Sequence, residues 1–248
     1  MKILILAAGY GTRLQSVAKN TPKPLLPVGP KPLIDYIVEK VAPLAAVSEI
    51  VVVTNNKFYD TFTTWTQTHK SLPVRIRIVN DGTNTPEERL GSVGDIRFVW
   101  NNEKTKEDWL VVGGDNILTD SLGDFMRLAQ SKNQDVTVGT YDIGNIQEAT
   151  KFGVVKLAAD KKMTELKEKP AQPESSLIAM CLYHFPKSTL GLIDEYVNGQ
   201  NTTDAAGGYI QWLVAKKCVY GFQFGGKWYD IGSLESLQEA NNYFNRPN

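Results

Sequence analysis

Leu6-Ala7-Ala8-Gly9-Tyr10-Gly11-Thr12-Arg13-Leu14 follows directly on the apolar run Ile3-Leu4-Ile5 near the start of the chain. The run Ile3–Ala7 is short, apolar and ended by glycine, which predicts a fully buried strand. Gly9 and Gly11 then let the backbone turn sharply and come close to a bulky anion. The N–H groups that such a turn exposes cradle phosphates, especially where a helical turn begins.

Working outward from that turn, Pro32–Val41 has helical apolar spacing at Leu33, Ile34, Ile37, Val38 and Val41. Pro32 is expected in its first turn. Ile50–Thr54 reads as a second buried strand, Phe58–Thr68 as a helix, and Val74–Val79 as a strand alternating with Arg75 and Arg77. Further strands are predicted at Trp109–Val112, Val136–Tyr141, Phe152–Leu157, Leu177–Phe185 and Cys218–Phe224. Helices are predicted from Ser188, from near Gly208, and over Ser233–Phe244 with Ser233 as cap. Strands alternating with helices imply a mostly parallel sheet in the first half, and the strand–strand steps later imply a mixed one. No linker or repeat stands out. The expected fold is α/β, a single Rossmann-like domain over residues 1–248 with a mixed, mostly parallel central sheet flanked by helices.

Composition narrows the function. The 248 residues carry 27 Lys plus Arg against 27 Asp plus Glu, so there is no basic excess to meet a nucleic-acid backbone. Two cysteines, Cys181 and Cys218, give neither a disulfide framework nor metal spacing, which suits a reducing cytoplasm. The N-terminal apolar run is too short for a signal-peptide core, and no stretch approaches the roughly 18 apolar residues of a membrane span.

Two familiar nucleotide motifs do not fit the turn. The dinucleotide fingerprint wants a small residue where Leu14 stands and an acid near the end of the second strand, where the chain has Thr54-Asn55-Asn56. A Walker-type lysine after the last glycine is also missing. What remains is the turn, Arg13, and Lys23 in Thr21-Pro22-Lys23-Pro24. Two cations on one loop can neutralise and orient a triphosphate, Arg with a forked grip and Lys as a point charge. Prolines on both sides of Lys23 stiffen the loop, so less freedom is lost on binding. Asp115, in Val111-Val112-Gly113-Gly114-Asp115-Asn116, follows a buried strand at the kind of place where ligands gather in α/β sheets. A carboxylate there suits magnesium, although a turn or cap role explains it as well.

Gly9-x-Gly11-Thr12-Arg13 followed by Pro22-Lys23-Pro24 resembles the signature of the sugar nucleotidyltransferases, the nucleotide-sugar pyrophosphorylases, notably those transferring thymidylyl or uridylyl groups to glucose 1-phosphate. The resemblance covers about Lys2 to Tyr243. It implies transfer of a nucleotidyl group from a nucleoside triphosphate to a sugar 1-phosphate, with release of pyrophosphate and use of Mg²⁺. It implies that Leu6, Ala8, Gly9, Gly11 and Thr12 hold the nucleotide while Arg13 and Lys23 assist attack and pyrophosphate departure. Asp230, in Trp228-Tyr229-Asp230-Ile231-Gly232, becomes the second metal ligand beside Asp115. Read alone, Asp230 is a turn position between a strand and a capped helix. Glu168-Lys169-Pro170 matches the position where Lys grips the sugar phosphate and Glu a sugar hydroxyl, and Gly153 leaves room for the hexose. Gly91 is the backbone contact for the base and Asp81 a side-chain candidate. A glutamine common there in thymidylyl- and uridylyl-transferring relatives is absent, which leaves the base open. No long extension follows Tyr243, so the appended repeat domain of bifunctional relatives is not expected. Neither nucleic acid nor membrane is an expected partner. Two other readings stand beside this one: a cytidylyltransferase for phosphocholine or another phosphorylated alcohol, and a catalytically silent nucleotide-sugar-binding regulator.

Overall fold

A computed structural model of the chain describes residues 1–14, 20–103 and 106–245. Its backbone divides into two compact units, each built from separate stretches of sequence. The first comprises Met1–Arg89, Val112–Ser121 and Gly226–Asn248, and the second Leu90–Val111 and Leu122–Gly225. The chain thus passes between the units repeatedly, and no single cut in the sequence parts them. That explains why the sequence shows no linker.

The first unit opens with β1 (Lys2–Leu6), β2 (Pro27–Val28), β3 (Lys31–Pro32), α1 (Leu33–Val41), β4 (Glu49–Thr54), α2 (Tyr59–Thr66) and β5 (Ile76–Asn80). β1, β4 and β5 are parallel, with Leu4 opposite Val51 and Val52 opposite Ile78. β4 lies between the other two, and its residues Ile50–Thr54 are wholly buried. Their β-branched side chains suit a strand covered on both faces. α1 buries Leu33, Ile34, Ile37, Val38 and Val41, the predicted stripe. Pro32, expected in the first turn of α1, instead precedes it, pairing with Pro27 in the small β2–β3 hairpin.

α3 (Gly91–Glu103) belongs to the second unit; β6 (Trp109–Gly113) begins there and ends in the first, and β7 (Asn116–Leu118) lies in the first. In the first unit the end of β6 lies beside β1. The rest of the second unit is α4 (Gly123–Ser131), β8 (Val136–Asp142), β9 (Gly153–Leu157), β10 (Met163–Glu168), β11 (Leu177–Phe185), α5 (Leu192–Asn198), α6 (Ala206–Lys216) and β12 (Val219–Phe224). Here β9 pairs antiparallel with β10 and β11, and β8 pairs antiparallel with β11 but parallel with β12. The sheet is mixed in this half, as the strand–strand steps imply. α4 was not anticipated; it holds Phe125 against Phe222 and Phe224, with ring centroids 6.1 and 5.9 Å away. β13 (Trp228–Asp230) and α7 (Leu234–Phe244) complete the first unit, and Ser233 caps α7 in a reciprocal capping box with Ser236. The α/β class, with a mixed central sheet flanked by helices, is the one expected. Among the described residues no helix is long and apolar enough to cross a membrane.

Candidate active site

The glycine turn leaves β1 pinned by hydrogen bonds from two sides. The Leu6 carbonyl accepts the Gly114 N–H at 2.9 Å, and the Ala7 N–H donates to Val53 at 2.9 Å. The Ala8 carbonyl accepts Asn55 Nδ2 at 2.8 Å, and Asn55 is fully buried. Asn55 occupies the stretch where the dinucleotide fingerprint would want an acid. Its Oδ1 also accepts the Phe58 N–H at 3.2 Å, so one amide ties the turn to the start of α2. With these carbonyls held, open space lies over Gly9 and Gly11, and the Gly11 carbonyl accepts the Leu14 N–H at 3.0 Å. A Cβ on either would meet nothing within 4 Å, and Gly11 has φ +64, a backbone that favours glycine. Thr12–Leu14 then forms a single 3-10 turn. The side chain of Arg13 lies outside the described residues, so only its backbone place in this turn is known.

Asp115 and Asp230, far apart in sequence, are brought together by a two-stranded ribbon. β7 pairs antiparallel with β13, setting Asp230 opposite Asn116, and the Ile231 N–H donates to the Asp115 carbonyl at 2.9 Å. Asp230 is therefore the last residue of a paired strand. That corrects its reading as a turn position: the three-residue strand is too short to show a period of its own. Lys23 Nζ lies 2.5 Å from Asp115 Oδ2, an ion pair that is partly buried. Lys23, expected at the triphosphate, and Asp115, expected at the metal, thus face one spot.

The other oxygen of Asp115 has its own partner. Asn116 Nδ2 donates to Asp115 Oδ1 at 2.7 Å, and Trp228 Nε1 donates to Asn116 Oδ1 at 2.8 Å. An indole can only donate, so the Asn116 oxygen must face Trp228 and its amide nitrogen must face the carboxylate. In the sequence Trp228 and Asn116 are no more than neighbours of the aspartates; nothing in their spacing shows that they fix a carboxylate's orientation. Gly114, just before Asp115, is required by close approach. A Cβ there would lie 2.5 Å from the Leu6 carbonyl oxygen.

These residues fit a magnesium ion. Mg²⁺ in phosphoryl-transfer sites takes one or two carboxylates, with substrate oxygens and water completing the octahedron. Among the described residues no group of three or more His, Cys, Asp or Glu is placed to hold a metal ion; the ribbon brings two carboxylate residues, Asp115 and Asp230, together.

Asp81 directly follows β5 and is buried. Its Oδ1 accepts both the N–H and the hydroxyl of Thr83, at 2.7 and 2.8 Å. Thr83 Oγ1 in turn accepts the Tyr10 hydroxyl at 3.1 Å, linking this corner to the glycine turn. That oxygen of Asp81 therefore closes its own turn.

The remaining candidates belong to the second unit. Gly91 opens α3 with φ +76, and a Cβ there would lie 2.4 Å from the Thr203 carbonyl oxygen. The neighbouring Ser92 and Val93 N–H groups donate to Asp204 and Thr203, at 3.1 and 3.0 Å. Packing thus already requires glycine at 91. Glu168 pairs with Gly153 across β9 and β10, which joins the two sequence matches on one surface. The space above Gly153 is taken up by Glu168 itself, whose Oε2 would stand 3.0 Å from a Cβ at 153. Burial pushes the Glu168 carboxyl above the ordinary glutamate value, and Lys169 works against that. Lys169 Nζ stands 3.8 Å from Glu168 Oε1, while its N–H donates to Phe152 at 3.0 Å. Lys169 also has φ +45, a left-handed backbone that is uncommon for lysine. Lys161 shares the positive φ, but there the tight turn joining β9 to β10 demands it: its N–H donates to Ala158, whose own N–H donates to Lys162. Lys169 lies at a bend just past β10, and Ala46 and Gln200 share a positive φ.

Known proteins resemble this chain along most of its length. Bifunctional protein GlmU of Methanocaldococcus jannaschii is 29% identical over 248 residues, covering 98% of this chain and 54% of that protein. Glucose-1-phosphate adenylyltransferase of Clostridium novyi is 30% identical over 257 residues, covering 97% of this chain and 66% of that protein. The chain spans about half the length of the GlmU proteins it matches. A crystal structure of UDP-glucose pyrophosphorylase complexed with UDP-glucose is 25% identical and superposes with a TM-score of 0.81, over 98% of this chain and 97% of that one. The nucleotidyl transferase family matches residues 2–246. That match runs through every residue placed above, from the glycine turn to Asp230, and the chain belongs to the nucleotidyl transferase family.

Proposed function

We propose that this chain is a sugar-1-phosphate nucleotidyltransferase, converting a nucleoside triphosphate and a hexose 1-phosphate such as glucose 1-phosphate into a nucleotide-sugar and pyrophosphate. The observation that carries the reading is the ribbon bearing Asp115 and Asp230, with Lys23 on Asp115 and Gly114 bonded to the strand that enters the glycine turn. A triphosphate with its metal presents anionic oxygens and a cation side by side, and this site offers a cation and carboxylates in the same pairing. Two similar proteins are named for glucose 1-phosphate or UDP-glucose, which supports a hexose acceptor. Their names carry different bases, so the base stays unassigned.

In this reading an oxygen of the sugar phosphate attacks the α-phosphorus and pyrophosphate leaves in line. No covalent enzyme intermediate is needed. The open space over Gly9 and Gly11 lets the chain approach the phosphates closely, with Leu6, Ala8 and Thr12 shaping the turn. Lys23 and Arg13 stabilise charge as it grows on the departing pyrophosphate. Asp115 and Asp230 would hold Mg²⁺, which when bound supplies Lewis-acid stabilisation of the phosphate oxygens. Lys169 holds the acceptor phosphate and Glu168 a sugar hydroxyl; a non-glycine residue kept at φ +45 is a local strain of the sort that collects at functional sites. Asp81, tied through Thr83 and Tyr10 to the glycine turn of the first unit, borders the base. Alignment of the two substrates and charge stabilisation are the protein's whole task.

A panel of nucleoside triphosphates crossed with sugar 1-phosphates, read by pyrophosphate release with and without Mg²⁺, tests the proposal. Release is expected only with both substrates and the metal. Turnover of CTP with phosphocholine, and none with any sugar 1-phosphate, would replace this reading with a cytidylyltransferase for phosphorylated alcohols. Binding of nucleotide-sugar with no turnover across the panel would make the chain a silent sensor.

A further inference from the structure

Glu168 is the acceptor-side carboxylate of the proposed reaction, and its position is set by a residue outside every motif read from the sequence. Its side chain extends from the end of β10 toward the first turn of α6 and lies between two glycines. On one side a Cβ at Gly153 would stand 3.0 Å from Glu168 Oε2. On the other, a Cβ at Gly207 would stand 1.9 Å from Oε2 and 2.6 Å from Cδ. The first distance is tight, and the second is impossible without movement. Glu168 is also anchored at its backbone, where its N–H donates to Gln211 Oε1, one turn further along α6, at 2.8 Å. The backbone is therefore fixed to the same helix that makes room for the carboxylate. A carboxylate beside the first turn of a helix is favoured by the helix dipole. Glycine inside a helix weakens it relative to alanine, so Gly207 carries a cost that the space for Glu168 accounts for.

We propose that Gly207 is a positioning residue for the acceptor: by lacking a side chain it lets the Glu168 carboxylate settle between α6 and Gly153, where it meets a sugar hydroxyl. The inference rests on the reading of Glu168 as a sugar contact, and it names the element that sets where that contact stands. The raised proton affinity of Glu168 agrees with the same geometry, since burial in this slot is its main cause.

The atoms in the way of a methyl group at 207 are the far end of a flexible side chain, so Gly207→Ala can be accommodated by swinging Glu168 outward. Gly207→Ala is expected to keep the melting temperature near that of the parent and the KM for triphosphate unchanged, while raising the KM for sugar 1-phosphate about tenfold. Glu168→Ala should raise the same KM, and the double variant Gly207→Ala/Glu168→Ala should match Glu168→Ala alone, because Gly207 acts only through that carboxylate. An unchanged acceptor KM in Gly207→Ala, or effects that multiply in the double variant, would overturn the proposal. If Gly207→Ala is instead poorly folded, trimming Glu168 in the double variant should restore the melting temperature to that of Glu168→Ala; failure to do so overturns it equally. Titration of the Glu168 carboxyl by carbon NMR separates this inference from the functional reading. Gly207→Ala should bring that titration down toward the ordinary glutamate value whether or not sugar 1-phosphates are turned over, and an unmoved titration refutes the contact.

Discussion

Asp115 is held at both oxygens, and the two holders differ in kind. Lys23 is a flexible cation, whereas Asn116 is locked by the donor-only indole of Trp228. Trp228→Phe removes the donor that holds the Asn116 oxygen, so the amide that donates to Asp115 loses its anchor and the carboxylate is held less firmly. Residues that orient a metal ligand typically matter 10–100-fold. We expect Trp228→Phe to weaken Mn²⁺ binding in the presence of triphosphate about tenfold and to lower kcat, as read by Mn²⁺ titration and pyrophosphate release. A variant with parental Mn²⁺ affinity would show that the indole only packs. Lys169 allows a second comparison at this scale. As a clamp on the acceptor phosphate, Lys169→Ala should raise the KM for sugar 1-phosphate strongly and leave that for triphosphate little changed. Lys161→Ala, from the turn that joins β9 to β10, should move neither; equal small effects on acceptor kinetics would return Lys169 to the solvated surface.

Three glycines near the ribbon and turn separate elements that need space from those that need conformation. Gly114 needs space, since its Cβ would strike the Leu6 carbonyl, which is backbone and cannot swing away. Gly114→Ala should cost about 1–3 kcal/mol, the usual penalty for overpacking a tight contact. Gly11 needs conformation, and at φ +64 an alanine should cost about 1–2 kcal/mol with no clash at all. Gly9 needs neither: it lies exposed, with open space where a Cβ would go and no left-handed backbone. Gly9→Ala should therefore leave urea-derived stability within about 0.5 kcal/mol while weakening triphosphate binding, because the methyl enters the path of the anion. Unchanged triphosphate affinity in Gly9→Ala would show that this face of the turn does not meet phosphate.

For the molecule as a whole, the partly buried carboxyl of Glu168 predicts a pH dependence with a definite sign. The native state holds this proton to higher pH than the unfolded chain does. Between the ordinary glutamate value, about 4.3, and Glu168's raised value, the native state binds more protons, so stability falls as pH rises. Glu174 acts oppositely. Lys156 and Lys167 hold its carboxyl at about 2, so its contribution is present above the ordinary value and is lost as pH falls; its exposure to solvent keeps that contribution small. The two are separated by substitution. Denaturant unfolding of the parent and Glu168→Gln should give equal stabilities at the acid end and an advantage to Glu168→Gln that grows as pH rises through the window. A difference independent of pH would mean that Glu168 keeps an ordinary pKa.

The sequence by itself determined the local chemistry of this protein. The run from Ile3 to Leu14 showed a buried strand and a glycine turn, because burial and glycine freedom are properties of adjacent residues. The buried strand Ile50–Thr54 and the stripe on α1 were legible for the same reason, each having enough residues to display a period. The family, too, was visible in the ordered motifs. Tertiary structure decided what depends on residues distant in sequence. It put Asp230 on a strand, since β13 is three residues long and exists only by pairing with β7. It supplied Asn55 and the Trp228–Asn116 chain, whose roles come from hydrogen bonds across the fold and leave no trace in spacing. It also gave Gly207 its meaning, because the space a glycine leaves can be interpreted only once the neighbour that fills it is known.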